Sequence, residues 1–285
     1  MLTFQELINR LNKYWAEYGC TILQPYTTEM GAGTLHPATA LRAIDSLHYK
    51  IAYVQPSIRP ADGRFGKNPN RLYQHHQYQV ILKPSPDNMQ ELYLKSLEEI
   101  SINIEKNDIR FVNDDWENPS IGAAGTGWEI WHNGIEISQF TYMQQVGGIL
   151  CPAITGELTY GLERICTIIQ NKDSIYDLMW SENMSYKQIF KKQEEDFSNS
   201  TYYHNNDEKY LLEQFKQNEL KALTLIKNNL PVAAYDQCLK ASHNLNLLDA
   251  NGNLSTQERA QFILKIRNLT NKCCGLWAKY QENPQ

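Results

Sequence analysis

Trp128-Glu129-Ile130-Trp131-His132-Asn133-Gly134-Ile135-Glu136-Ile137-Ser138-Gln139 reads as two alternating runs joined by Asn-Gly, the dipeptide favoured in two-residue type I′ turns. Pairing across that turn sets Trp131 opposite Glu136 and Glu129 opposite Ser138 on one face, leaving Trp128, Ile130, Ile137 and Gln139 on the other. One face is apolar enough for a core. The other carries two carboxylates and is either a solvated surface or the floor of a site. The hairpin predicts an antiparallel sheet.

Upstream, Phe4, Leu7, Ile8, Leu11, Tyr14 and Trp15 recur at helical spacing and Gly19 is placed to end the helix. Thr21–Pro25, Ala52–Gln55 and Tyr73–Leu82 read as strands. The last two flank a long loop carrying Arg59, Arg64 and Arg71. Guanidinium groups bind phosphate oxygens through a planar fork and keep their charge, so the loop is either solvated or a polyanion cradle. Downstream, Gly156-Glu157-Leu158-Thr159-Tyr160-Gly161-Leu162-Glu163-Arg164 passes from strand to helix at Gly161. Arg164, in the first turn of that helix, needs a partner: a nucleotide phosphate or neighbouring Glu163. From Asp173–Trp180 onward the texture turns helical, and Ser255-Thr256-Gln257-Glu258 is a capping box before Phe262, Ile263, Ile266, Leu269 and Leu276. The domain reading is a catalytic core over 1–180 and a helical region over 181–285.

A chain of 285 residues with 42% hydrophobic and 21% charged residues can bury one large core. It has no apolar run long enough to span a bilayer and no leader-like start, so the expectation is a cytoplasmic protein without a membrane. The formal charge of −5 argues against gripping nucleic acid mainly by its own surface. The six cysteines lack CxxC spacing and are expected as buried thiols. There is no P-loop or HExxH. His75 and His76, adjacent on a strand, point to opposite faces and cannot share one metal.

The arginine loop resembles motif 2 of class II aminoacyl-tRNA synthetases, and Gly161-Leu162-Glu163-Arg164 resembles motif 3. Tyr53–Ser57, Lys83–Asn88, Gln90–Leu94, Asp108–Val112, Gln139–Gly148 and Asn246–Ala250 extend the resemblance to the alpha subunit family of bacterial two-subunit glycyl-tRNA synthetases over essentially the whole chain. It implies an α+β fold, an antiparallel class II sheet flanked by helices with a helical C-terminal region. It also implies glycine activation by ATP and transfer to tRNA(Gly), Mg²⁺ as cofactor, an alpha–alpha homodimer, and assembly with two beta chains that carry most tRNA binding.

By the same resemblance Arg59 contacts the α-phosphate, Arg64 the distal phosphates or the tRNA end, and Arg164 the far end of a bent ATP. Tyr78 stacks on adenine and Glu129 holds Mg²⁺. Glu157 binds the glycine ammonium, with Gln79, Trp116 and Thr159 walling its pocket. The chain departs from the family pattern at Ile58, Asn113, Ala124 and Thr126, and over Asp45–Ile51. Two rival readings are a ligase for another small acid on the same core and a non-enzymatic paralogue. Retention of Arg59 and Arg164 speaks against the second.

Overall fold

The computed structural model describes the chain except residues 64, 66, 69, 204–207, 253 and 283–285 and the side chains of 201–203, 281 and 282. Helix α1 (Phe4–Glu17) is followed by β1 (Thr21–Ile22), the short helix α2 (Pro37–Ala40), β2 (Tyr49–Ile58), β3 (Gln74–Lys83) and α3 (Met89–Glu99). Next come β4 (Ile109–Asp114), β5 (Glu117–Asn118), β6 (Ala123–His132), β7 (Ile135–Val146), β8 (Ile149–Gly161) and α4 (Leu162–Gln170). A small hairpin, β9 (Met179–Ser181) and β10 (Met184–Ser185), leads to α5 (Tyr186–Tyr203), α6 (Glu208–Lys227), α7 (Pro231–Ala250) and α8 (Thr256–Glu282).

The first eight strands form one sheet in the order β1-β2-β3-β8-β7-β6-β4, with β5 also on β6. Among the described residues only β1–β2 is parallel. The antiparallel core expected of the sequence is therefore present, flanked by helices. Asn133 and Gly134 both take positive φ, +48° and +86°, as a type I′ turn requires.

Directly paired residues point to the same side, so the registers define rows across the sheet. Trp128–Phe140–Leu158–Val80–Ala52 and Ile130–Ser138–Tyr160–Tyr78–Val54 form one face. Their buried apolar members join Phe4, Leu7, Leu11 and Trp15 of α1 in the main core. Thr3 and Glu6 cap that helix reciprocally, a motif worth about 1 kcal/mol. Glu129–Gln139–Thr159–Gln79–Tyr53 and Gly127–Thr141–Glu157–Ile81–Ile51 form the opposite, polar face.

The hairpin register differs from the expectation in one respect. A bulge shifts the pairing between Ile130 and Trp131, so Trp131 meets Glu136 but Glu129 meets Gln139 rather than Ser138. Ile137 is the extra residue, buried at 1% exposure. An unpaired residue inverts the alternation beyond it. Gln139 thereby joins Glu129 on the polar face and Ser138 joins the core.

Helices α7 and α8 cover part of that polar side: Tyr235, Cys238, Leu239, Cys273 and Cys274 cluster with Leu35, Met143 and Val146. Five of the six cysteines are buried and all are free. The expected boundary at 180/181 falls within β9.

Candidate active site

Strands β2 and β3 pair over their full length, Tyr49↔Lys83 to Ile58↔Gln74, so the loop between them is closed at its base. There the Arg59 N–H donates to the Tyr73 carbonyl at 2.8 Å. Glu194 of α5 accepts from the Tyr73 and Gln74 N–H groups at 2.7 and 2.9 Å. The Arg59 Nε donates to the Gly31 carbonyl at 3.0 Å, and Arg71 meets Asp62 at 3.4 Å. From the far side of the sheet Arg164 donates to both the carbonyl and the carboxylate of Glu136, each at 2.9 Å. Arg59, Arg71 and Arg164 line one cavity of about 360 Å³, whose wall includes His75, Gln77, Gln139 and Thr159. Arg64 lies outside the described residues.

Below this cavity the polar face is tightly tied. Gln77 Oε1 accepts from the Gly33 N–H at 2.8 Å and the Ser57 hydroxyl at 2.9 Å. The Thr159 hydroxyl and Gln79 amide hydrogen-bond at 2.9 Å, and the Thr34 hydroxyl donates to Glu157 at 2.7 Å. Gly33 lies against Gln79: a Cβ there would come within 2.4 Å of the side-chain amide. Glu157 is 2% exposed. Burial raises its carboxyl from 4.5 to about 7, only partly countered by Thr34.

Arg59, Arg164 and Thr159 thus share a cleft; Gln79 reaches its wall only through its bond to Thr159, and Glu157 lies off the wall, bonded to Thr34. Tyr78 does not belong there. It lies on the core face, fully buried, with its hydroxyl on Asn12 at 3.0 Å. Neighbours on a strand point to opposite sides, so Tyr78 and Gln79 cannot both face the cleft. The stacking role expected of Tyr78 is ruled out. Trp116 lies outside the cavity and packs on the apolar cluster of Leu35 and Met143. Glu129 shares the row of Gln139 and Thr159 without reaching the cavity wall, and accepts from Trp131 Nε1 at 3.0 Å.

The partner of Arg164 is Glu136, not Glu163. Glu163 accepts the His76 N–H at 2.9 and 3.0 Å, contacts His76 Nδ1 at 2.7 Å, and accepts the Tyr186 hydroxyl at 3.0 Å. Burial alone would raise the Glu163 pKa, but the His76 contacts outweigh it and the pKa is lowered.

Three contributors escaped the sequence reading. His75 lines the cavity, and burial, then Arg59, push its imidazole down to about 3; strand parity with Gln77 and Gln79 was the available signal. Thr34 and Glu194 reach the site across 123 and 121 residues, and no local pattern marks such contacts. Among the described residues no group of three His, Cys, Asp or Glu is disposed to hold a metal ion, and no helix is long and apolar enough to cross a membrane.

A family described as "Glycyl-tRNA synthetase alpha subunit" matches residues 4–282. The glycine–tRNA ligase alpha subunit of Rickettsia canadensis (strain McKiel) is 50% identical over 286 residues, covering 99% of each chain. Two structures of pyrrolysyl-tRNA synthetase from Desulfitobacterium hafniense superpose with a TM-score of 0.45, at 13% and 12% identity. They cover 63% and 64% of this chain and 71% and 75% of those chains.

Proposed function

The chain belongs to the glycyl-tRNA synthetase alpha subunit family, and from that membership we propose that it activates glycine with ATP and passes the glycyl group to tRNA(Gly). The carrying observation is that three arginines from separate elements line one cavity whose wall includes Thr159, two residues along β8 from the buried Glu157. ATP is a substrate, and a beta subunit and tRNA are its partners. The chemistry resides in residues 1–180, buttressed by 181–285. Two alpha chains pair and join two beta chains in the cytoplasm.

The first step brings the glycine carboxylate, already an anion, against the α-phosphate. No general base is needed; the barrier is charge and orientation. Arg59 follows the end of β2 and shares the cavity wall with Thr159, and takes the α-phosphate. Arg164 takes the far end of the triphosphate. Its bond to Glu136 is a solvent-exposed ion pair, worth about 0–1 kcal/mol, so a phosphate displaces it at little cost. Arg71, similarly held by Asp62, and Arg64 serve the same polyanion. The ring that offers a face to the purine is His75, neutral and on the cavity wall.

Magnesium needs no dedicated cage: it is commonly held by one or two carboxylates together with substrate phosphates. Glu129 supplies such a carboxylate on the polar face, and bound Mg²⁺ would neutralise phosphate charge. Glu157 receives the glycine ammonium, Gln79 and Thr159 wall the pocket, and Trp116 backs it. The close approach of Gly33 to Gln79 leaves little room beside the α-carbon. A side chain there costs about 1–3 kcal/mol, roughly five- to 140-fold.

Amino-acid-dependent ATP–pyrophosphate exchange, with and without the beta chain, tests this reading. Glycine alone should support exchange at least tenfold above alanine or serine. Exchange with another small acid and none with glycine would replace it.

A further inference from the structure

Between β1 and α2 the chain runs as a strap over residues 26–35, with no strand and a single 3₁₀ turn, Gly33–Leu35. The strap touches both halves of the site. Its Gly31 carbonyl accepts from Arg59 Nε at 3.0 Å. Three residues on, the Thr34 hydroxyl donates to Glu157 at 2.7 Å. A backbone without a ladder of its own keeps its place only through outside partners.

Those partners come from two sides. On the sheet side, Gln55 of β2 accepts the Tyr26 N–H at 2.9 Å, and the Ile58 N–H donates to the Met30 carbonyl at 2.8 Å. On the outer side α7 supplies three contacts. The Tyr235 hydroxyl donates to the Leu35 carbonyl at 2.8 Å, and His243 Nε2 lies 3.3 Å from the Glu29 carboxylate. Asp236 Oδ1 accepts the Thr28 hydroxyl at 2.5 Å and stands 3.5 Å from the Tyr26 hydroxyl. Of the three, Tyr235 is also core, fully buried, and Glu29 is 60% exposed, which screens its pairing. Asp236 differs from both. Its other oxygen is taken within α7 by Lys240 at 2.8 Å and Gln237 at 3.0 Å. That fixes the carboxylate and leaves Oδ1 to the strap, in a bond of the stronger, charge-assisted kind.

We infer that Asp236 is a positioning residue for glycine activation, resting on the functional reading above. Through Thr28 it fixes the strap that sets the Arg59 guanidinium at one point and the Glu157 carboxylate at the next. Asp236 itself lies outside the wall of the Arg59–Arg164 cavity, so it acts only through the strap. The helical region thereby reaches the chemistry of the core. One strap serves the arginine that takes ATP and the carboxylate that takes glycine, so releasing it weakens both substrates together.

Steady-state ATP–pyrophosphate exchange in the complete enzyme with its beta chain tests this. Asp236→Ala, which puts a good helix former into α7, should raise the KM for glycine and the KM for ATP by about tenfold each. Thr28→Val removes the hydroxyl from the strap side and should do the same, and the double variant should lose little more than either single one. Asp236→Asn and Thr28→Ser keep an acceptor and a donor and should stay within about threefold of wild type. Unchanged KM values, with or without a lowered Tm, would overturn the inference. So would a rise in only one KM, or effects that multiply in the double variant. Should Asp236→Ala fail to fold, the contrast between Thr28→Val and Thr28→Ser decides by itself. Absence of glycine-dependent exchange in the wild-type enzyme would instead overturn the functional reading.

Discussion

Glu157 carries the sharpest consequence at the scale of one residue. Its buried carboxyl titrates near 7, above the 4.5 of a free one, so the folded chain without ligand binds more protons than the unfolded chain between those values. Stability from this group is then present below about pH 4.5 and declines as pH rises through 7. If glycine places its ammonium on Glu157 as proposed, it favours the ionised form and expels the proton. Calorimetry in buffers of different ionisation enthalpy should find close to one proton released per glycine at pH 6 and almost none at pH 8.5. Glu157→Gln should abolish that release and raise the glycine KM tenfold or more. Unchanged proton release in the variant would remove Glu157 from the ammonium site. Residue types alone revealed the arginines, because clustered guanidinium groups stand out in a sequence; Glu157 was named only through the family resemblance. They could not reveal Tyr78's true place: its adenine role came from motif resemblance, and strand parity, already used for His75 and His76, would have contradicted it.

Elements decide how rigid the cleft is. Strands β2 and β3 were legible from composition and turn residues, and the Asn133-Gly134 turn from two letters. The bulge at Ile137 was not, since an unpaired residue is set by how β7 fits both β6 and β8. It decides whether Gln139 faces the core or the site. The support that α5 lends to the arginine loop was equally hidden. Glu194, 2% exposed, holds two backbone N–H groups at the loop's closing point, and burial raises its carboxyl to about 7. Glu194→Gln turns an amide nitrogen toward one of those donors and leaves it unpaired, at a cost of about 1–3 kcal/mol. The ATP KM should rise several-fold with a smaller fall in kcat for exchange. A variant with lowered Tm but unchanged ATP KM would mark Glu194 as purely structural.

The whole molecule joins pieces that are far apart in the chain. Arg59 leaves β2, Arg71 precedes β3 and Arg164 opens α4, and the sheet order sets β8 beside β3 so that they meet. The chain is acidic, −5 overall, yet three guanidinium groups converge on this cleft. The antiparallel core and helical end were readable as texture. The folding of α7 over the 31–35 segment was not, since Tyr235 meets the Leu35 carbonyl across 200 residues. The central claim is that these guanidinium groups act together on one triphosphate. Exchange kinetics of Arg59→Ala, Arg164→Ala and the double variant test it most directly. Each single change should lower kcat/KM for ATP by about a hundredfold or more, with the double variant losing less than the product of the two. Wild-type rates in either single variant would contradict the account.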